Sequence, residues 1–408
     1  MNWVDHKKEI IKNIFSFGSI DILGLLIPIV TMPILTRGLG PSQYGIYMLL
    51  LTIFYFGHTI IDYGTQFTSV RALAKQRDNP DAIRRIYQDT QGLRLFLWFV
   101  YSLVSITYCY FFTSGTVLLY MIFASLTYML GYALTPIWFY QGIGSVERAM
   151  KVSLMIKLFN LIVIIFAINS PDDLNIVFAS LCIPMLLGGA YLSYLASRLY
   201  HVRLSSLGRL GKSLSDGRDV FIGLLAPNFY NTMPTIALGT IYPPADFVNF
   251  AIATRLASVI VTLQNVIAKS VYPVITRLQS DQVIKLMLVN IVISVVPLFI
   301  LFTTGEVTLG FILGKDFSEV NDYLLVLAIG IMFVGLNNAI TQGYFLPKGY
   351  NAVYRNISLR VSFISGIVAC MMIYYAGIMG GAIAISIARF LFAVDSYLMY
   401  RNLRKKNG

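Results

Sequence analysis

The chain has 408 residues, of which 57% are hydrophobic and only 12% are charged, with a mean hydropathy of +0.71. Soluble globular proteins carry about 25% charged residues, so this composition excludes a water-soluble enzyme. The 31 Lys and Arg against 19 Asp and Glu leave a net charge of +12, which in a soluble protein would suggest nucleic acid or an anionic surface as a partner.

Apolar segments long enough to cross a bilayer recur along the whole chain, since about 20 residues of helix span its hydrocarbon core. We predict an all-α membrane protein with about twelve transmembrane helices. The first helix follows three lysines but is too long for a signal peptide, so we expect it to be retained. The predicted helices cover approximately residues 10–36, 44–70, 91–113, 115–138, 152–169, 174–197, 219–241, 245–270, 282–304, 321–346, 355–375 and 379–400.

The charges between these helices predict which way the chain faces, because cytoplasmic loops of membrane proteins are rich in Lys and Arg. With a cytoplasmic N-terminus, only Arg37 and Lys315 lie on the outer side. The basic residues of the inner side are Arg71, Lys75, Arg77, Arg84, Arg85, Arg148, Lys151, Arg198, Arg203, Arg209, Lys212, Arg218, Arg401, Arg404, Lys405 and Lys406. The acids of the outer side are Asp172, Asp173, Asp246, Glu306, Asp316, Glu319 and Asp322. We therefore expect a multi-pass protein with both termini in the cytoplasm and no nucleic-acid partner.

The sequence does not support a nucleotide-binding or metal-binding motif. Gly211-Lys212-Ser213 resembles the end of a phosphate-binding loop, but Ser206 stands where the required glycine would be. The three histidines and three cysteines show no metal-type spacing, and we expect the cysteines to be small core hydrophobes. These residues are His6, His58, His201, Cys109, Cys182 and Cys370. We expect no metal or other cofactor.

The two halves of the chain resemble each other at an offset of 199 residues. Residues 24–28 read Gly-Leu-Leu-Ile-Pro and residues 223–227 read Gly-Leu-Leu-Ala-Pro, and Leu39-Gly40 matches Leu238-Gly239. Chance similarity is the alternative, since leucine and glycine are common here. The match predicts two six-helix lobes around a central cavity, residues 1–205 and 206–408, related as parallel repeats.

Prolines occur at corresponding places in the two halves. Pro28 and Pro33 fall in helix one, and Pro227 and Pro234 fall in helix seven. Each proline removes a backbone hydrogen bond, so we expect both helices to be interrupted and able to bend.

Polar residues form stripes at helical spacing within four of the apolar segments. Helix eight carries Arg255, Ser258, Thr262, Asn265 and Lys269; helix two carries His58, Asp62, Thr65 or Gln66, and Ser69; helix seven carries Asn228, Asn231, Thr232 and Thr235; helix ten carries Asn337, Asn338, Thr341 and Gln342. Such stripes line a hydrophilic cavity or, alternatively, make hydrogen bonds between helices.

Charged residues at membrane depth are costly and face protein or water. Arg255, Arg389, Asp21 and Asp62 are of this kind, and each either serves function or forms a buried ion pair. Asp395 is too far round the helix to pair with Arg389. Guanidinium groups in such a cavity suit a phosphate or pyrophosphate, because their planar fork makes bidentate hydrogen bonds.

Several segments together resemble the O-antigen and polysaccharide flippases (Wzx type). These segments are Pro33-Ile34-Leu35-Thr36-Arg37-Gly38-Leu39-Gly40-Pro41 with Tyr44-Gly45, Asp62-Tyr63-Gly64 with Arg71 and Arg77-Asp78, Pro136-Ile137-Trp138-Phe139-Tyr140-Gln141-Gly142, and Tyr272-Pro273 with Arg277. The resemblance implies the multidrug/oligosaccharidyl-lipid/polysaccharide exporter fold in a bacterial inner membrane. It implies a lipid-linked oligosaccharide as cargo, undecaprenyl-pyrophosphate-linked and moved to the periplasmic leaflet, with the pathway's polymerase and chain-length regulator as further partners.

The resemblance also implies cationic residues within the membrane, for which Arg37 and Arg255 are the matching candidates. We expect Arg255, with Arg37 and Arg389, to attract the cargo's pyrophosphate while its tail stays in membrane lipid between the lobes. Asn231, Ser258, Asn265 and Lys269 are the other candidate binding residues. Asp21 and Asp62 have Val220 and Val261 as repeat partners, and this asymmetry suggests coupling to protons or sodium.

Two other functions stay open at this point. A multidrug and toxin extrusion antiporter would have the same fold with a smaller cargo, although the cationic stripe favours an anionic headgroup. Lipid II flippases are similar too, but they usually have fourteen spans. A membrane polymerase or acyltransferase is of a different class, and the sequence lacks the large outer loop expected of a polymerase.

Overall fold

The computed structural model describes the backbone of residues 3–76, 78–204, 208–278 and 283–407, and the side chains of residues 27–76, 78–204, 208–267, 283–350 and 352–405. Within these ranges the chain is helical and contains no strand. The helices are α1 (Trp3–Asp62), α2 (Thr65–Lys75), α3 (Pro80–Phe112), α4 (Gly115–Ala124), α5 (Leu130–Leu134), α6 (Ile137–Gly142), α7 (Val146–Ala167), α8 (Leu174–Tyr200), α9 (Leu210–Leu225), α10 (Asn228–Asn231), α11 (Met233–Ile241), α12 (Pro244–Leu278), α13 (Val283–Leu313), α14 (Val320–Ile340) and α15 (Asn351–Asn407). Two π-helical turns, Ser125–Met129 and Thr341–Phe345, follow α4 and α14.

Nine helical segments of the described chain are long and apolar enough to cross a membrane, which confirms the predicted all-α membrane fold. Two of them, Ile27–Lys75 with 49 residues and Ala352–Lys405 with 54, are about twice as long as one crossing needs at ~1.5 Å per residue. Each is bent at a glycine with positive φ, Gly40 at 69° and Gly377 at 57°, a conformation that glycine adopts without strain. The count is therefore consistent with twelve crossings.

The four prolines act differently in the two halves. Helix seven is broken as predicted, because α9 ends before Pro227 and a second break at Thr232 precedes Pro234. Asn228 lies just after the first break, and its side-chain amide donates to the carbonyl oxygen of Leu224 at 3.0 Å. Helix one, by contrast, stays helical through Pro28 and Pro33, so the predicted interruption there is wrong. A single proline removes one donor, and a helix accommodates that loss where the surrounding turns remain bonded.

The chain forms two compact units. The first comprises residues 1–37 and 229–408, and the second comprises residues 38–228. Helix α9 belongs to the second unit because its Leu214 and Phe221 pack on Tyr63 and Leu97. The lobes predicted at 1–205 and 206–408 stay a prediction.

Each unit has a core rich in aromatic side chains. In the second unit, Tyr87, Trp138, Phe139 and Tyr140 are almost fully buried. In the first unit, buried Tyr344, Phe345 and Phe392 pack with aliphatic side chains of α13, α14 and α15. Their rings bury large apolar areas, which stabilises the packing within each unit.

The surface carries large exposed hydrophobic side chains, as lipid contact requires. Phe302 on α13 is 79% exposed and Tyr374 on α15 is 83% exposed. Cys109 and Cys182 are buried as predicted, but Cys370 is exposed on α15, so the prediction of a core position is wrong for that residue. In a membrane helix the outward face is also apolar, and hydrophobicity alone does not place a residue inside.

Candidate functional site

The second unit contains a buried ion pair between Asp62 and Arg94. Asp62 ends α1, and Arg94 reaches it from α3, with side chains only 13% and 3% exposed. The amide of Gln66, one turn beyond Asp62, donates to the same carboxylate. Of the two roles left open for Asp62, the ion pair is therefore present in the structure.

Arg94 also bonds to backbone carbonyl oxygens at the end of α5, just before Pro136. Helix α5 ends at Leu134, and Pro136 has no N–H to donate to the carbonyl oxygen of Tyr132 four residues before it. The Nη2 atom of Arg94 donates to that oxygen at 2.8 Å, and its Nε donates to the oxygen of Ala133 at 3.3 Å. The guanidinium thus serves both a carboxylate and a helix end.

His58 lies one helical turn before Asp62 and joins the same cluster. Its ring stacks on the ring of Tyr132, with centroids 3.6 Å apart and planes inclined by 9°, and on Tyr128 of the first π-helical turn at 5.5 Å. The Nε2 atom of His58 is buried and has no hydrogen-bond partner among the described residues. π-Helical turns occur often at functional sites.

A small cavity of about 60 Å³ lies beside this cluster, and its lining combines Asp62, Gln66, Arg94, Tyr132 and Thr135 with apolar side chains. A cavity of this size holds a few waters or one small cation. We call it the Asp62 pocket. Sequence reasoning predicted Asp62 but missed Arg94. A basic residue inside an apolar segment, as Arg94 is, could have marked it as a candidate.

The polar stripe of helix eight runs along α12 in the first unit. Ser258 donates to the carbonyl oxygen of Arg255 at 2.6 Å, and Thr262 donates to that of Ser258 at 2.8 Å. Asn265 accepts a hydrogen bond of 2.8 Å from Asn338 of α14. The hydroxyls therefore bond within their own helix, and the amide makes the interhelical bond that was the alternative to a cavity lining.

Other members of the predicted set are distributed as follows. Arg255 is half-buried on α12. The carbonyl oxygen of Asn231 accepts a bond of 3.3 Å from Thr235 one turn later. The side chains of Asp21 and Lys269 lie outside the described residues.

Arg37 is exposed at the bend of α1, and its Nη2 atom donates to the carbonyl oxygen of Phe311. That carbonyl belongs to the last turn of α13, where carbonyls lack helical partners and a positive charge is favourable. The structure thus gives Arg37 a capping contact that the sequence did not predict.

Arg389 on α15 is half-buried, and its Nη1 atom makes a long contact of 3.5 Å with the carbonyl oxygen of Leu327. Asp395 instead binds Arg360 in a bidentate pair, with contacts of 3.0 Å to Nε and 2.5 Å to Nη2. Within the described chain no carboxylate is in salt-bridge distance of Arg389. Its guanidinium therefore keeps donors for a further acceptor.

One buried amide that the sequence did not single out, Gln264, lies on α12 with the stripe. Gln264 is fully buried, and its Nε2 donates to Ser294 of α13 at 2.8 Å. Asn337, a member of the predicted helix ten stripe, accepts a hydrogen bond of 2.7 Å from Ser396 of α15. Because Gln264 points away from the stripe, helical spacing alone could not find it.

Comparison with known proteins gives a consistent result. The family model described as "Polysaccharide biosynthesis protein" matches residues 10–279. The chain is 22% identical to a proposed O-antigen transporter of Escherichia coli (strain K12) over 88% of this chain and 89% of the relative. A Shigella dysenteriae protein of the same description is also 22% identical, over 94% and 98%.

Solved structures share the fold at low identity. An inward-facing multidrug resistance MATE family transporter of the MOP superfamily matches with a TM-score of 0.70 and 16% identity, covering 92% of this chain and 94% of that one. The lipid II flippase MurJ in an inward closed conformation matches with a TM-score of 0.69 and 13% identity, covering 95% and 87%. At such identities the likeness establishes the fold of this superfamily.

Proposed function

Because the chain belongs to the polysaccharide biosynthesis protein family, we propose that it carries a lipid-linked oligosaccharide across the bacterial inner membrane. The cargo is an undecaprenyl-pyrophosphate-linked O-antigen or related repeat unit, moved from the cytoplasmic to the periplasmic leaflet by alternating access. Relatives named for O-antigen transport match over nearly their whole length and support this cargo class. A multidrug antiporter of the same fold is the competing function.

The observation that carries the proposal is Arg389, a half-buried cation in a membrane helix with no carboxylate partner in the described chain. Holding an uncompensated charge there costs free energy, so its retention calls for an anionic ligand. A pyrophosphate has the geometry to accept two parallel hydrogen bonds from a guanidinium. A cationic drug would instead be repelled.

The remaining predicted residues take supporting roles in this proposal. Arg255 and Lys269 add positive charge along α12, and Asn231, Ser258 and Asn265 offer hydrogen bonds to sugar or phosphate oxygens. Arg37 holds the outer end of α13 through Phe311. Asp62, with Asp21, couples transport to protons or sodium, which compete with Arg94 for the Asp62 carboxylate.

Arg389→Gln is expected to reduce polysaccharide export at least about tenfold, since one charge-assisted hydrogen bond contributes about 1.5–3 kcal/mol. The assay is complementation of a flippase deletion strain, with measurement of surface polysaccharide and of repeat units stranded on the cytoplasmic face. Arg355→Gln is the matched control, because Arg355 is exposed on the same helix. Full export by a normally inserted Arg389→Gln protein would remove the headgroup role, and efflux of cationic drugs by the wild type without export would favour the antiporter.

Asp62→Asn tests the coupling role. The amide keeps the size of the carboxylate but cannot exchange a proton or bind sodium through a charge, so export should lose its dependence on external pH or sodium. Export is measured across a pH series in the same strain, with Asp81→Asn as a control at an exposed carboxylate of α3. An unchanged pH and sodium dependence would exclude Asp62 from coupling.

A further inference from the structure

The second unit has a large open groove between α7 and α8. Its volume is about 1010 Å³, and its walls are almost entirely apolar, with Met155, Phe159 and Leu187 among the lining residues. The helices meet at Gly188, where an added Cβ would lie 2.4 Å from Cδ1 of Ile156. This contact between the two helices forms the bottom of the groove, and no side chain of the described residues fills the space outside it.

The groove is longer than one leaflet of a bilayer. Its lining on α7 runs from Arg148 to Val163, or about 22 Å at ~1.5 Å per residue. Its lining on α8 runs from Ile176 to Leu195, or about 28 Å by the same rise. Half of the ~30 Å hydrocarbon core is about 15 Å, so an acyl chain confined to one leaflet would fill only part of the groove.

Charge is confined to one end of the groove. Arg148 and Lys151 lie there, whereas the far end is lined by Val163 and Ile176. Lys151 contacts Glu147 at 2.7 Å, and the two side chains are 72% and 77% exposed. Such an exposed ion pair contributes little to stability. Arg148 has no carboxylate within salt-bridge distance in the described chain. The groove is therefore complementary to an amphiphile with one anionic head and one long apolar chain.

We propose that this groove binds a polyprenyl-phosphate lipid, with its chain along α7 and α8 and its phosphate at Arg148 and Lys151. The groove favours a chain longer than one leaflet, and the isoprenoid class rests on the proposed function. In a bilayer the surrounding lipid is as apolar as the groove, so selection comes from shape, length and the charged end. The site lies on the second unit, whereas Arg255 and Arg389 belong to the first. It serves as the docking position of the carrier lipid before its headgroup is moved.

The test is photo-crosslinking of the full chain in nanodiscs with a diazirine-bearing undecaprenyl phosphate, followed by mapping of the labelled peptides. Labelling is expected in α7 and α8, and unlabelled undecaprenyl phosphate should compete at least roughly tenfold better than phosphatidylglycerol. Equal competition by phosphatidylglycerol, or labelling confined to other helices, would overturn the proposal.

Two sets of variants sharpen the result. Ala179→Trp places an indole in the groove and should weaken labelling at least roughly fivefold, whereas Ala190→Trp, on the exposed part of α8 outside the groove, should leave it unchanged. Arg148→Gln and Lys151→Gln should each weaken labelling by roughly fivefold, and Arg198→Gln on the same side should not. The charge variants are exposed and spare the packing, so normal labelling in them refutes the phosphate position even if Ala179→Trp misfolds.

Export by the same variants separates this inference from the proposed function. If the wild type restores export and the groove variants label normally, the groove inference fails and the flippase function stands. If the wild type restores no export in the deletion strain, the proposed function fails whatever the labelling shows.

Discussion

Arg94→Gln is expected to destabilise the protein by about 3–5 kcal/mol, the cost of removing one partner from a buried ion pair. The change leaves the Asp62 carboxylate, which is 13% exposed, without its cation. It also removes one hydrogen bond to each of the carbonyl oxygens of Tyr132 and Ala133. Those oxygens keep hydrogen bonds from the Thr135 amide and the Gln91 side chain, so most of the loss comes from the unpaired carboxylate. Thermal and denaturant unfolding of the purified protein in detergent measure the loss.

A double-mutant cycle measures how much of the stability lost in Arg94→Gln comes from the Asp62–Arg94 ion pair. Asp62→Asn with Arg94→Gln should be less destabilised than the sum of the two single variants, because no unpaired charge remains buried. Arg84→Gln is the matched control, since Arg84 pairs with the exposed Asp81 and should lose less than about 1 kcal/mol. Additive effects in the cycle would contradict an energetic coupling between Asp62 and Arg94.

Gly131→Ala is expected to destabilise the protein by about 1–3 kcal/mol or more, although alanine favours helix. Gly131 on α5 packs directly on the backbone of α8. An added Cβ would lie 2.5 Å from the carbonyl oxygen of Met185 and 2.6 Å from the amide nitrogen of Leu186. Backbone atoms cannot rotate away as a side chain can, so the two helices must separate. Small residues at such positions allow membrane helices to approach closely.

Gly366→Ala, in contrast, is expected to stabilise the protein. An added Cβ at Gly366 meets nothing within 4 Å, and the position lies inside α15, so the change should stabilise by up to about 1 kcal/mol. Unfolding temperatures of the two variants should therefore move in opposite directions. Equal shifts would show that the contact between α5 and α8 is looser than described.

Gly131→Ala should also change the shape of the Asp62 pocket. The next residue, Tyr132, stacks on His58 and accepts a hydrogen bond from Arg94. A displaced α5 therefore moves the wall of the pocket as well as the helix contact. Export in the complementation strain should fall together with stability, in contrast to Arg389→Gln, where export falls without a matching loss of stability.

The outcome for the predicted site residues depends on what their side chains touch. Helical spacing correctly grouped Arg255, Ser258 and Asn265 on one face of α12, but it could not tell that Ser258 bonds within its own helix while Asn265 bonds to Asn338. As the spacing argument expected, Asp395 does not pair with Arg389 in the described chain, because its carboxylate pairs with Arg360.

The sequence by itself determined the fold class, because runs of about 20 apolar residues need no partner to identify them as membrane helices. It also indicated the family, through the short motifs that resemble those of polysaccharide flippases. Only the tertiary structure decided that Arg94 pairs with Asp62, that Arg94 also bonds to the carbonyl oxygens at the end of α5, and that α7 and α8 leave a groove. These features join residues from separate helices, and the hydropathy of a segment carries no information about which neighbour its polar side chains will face.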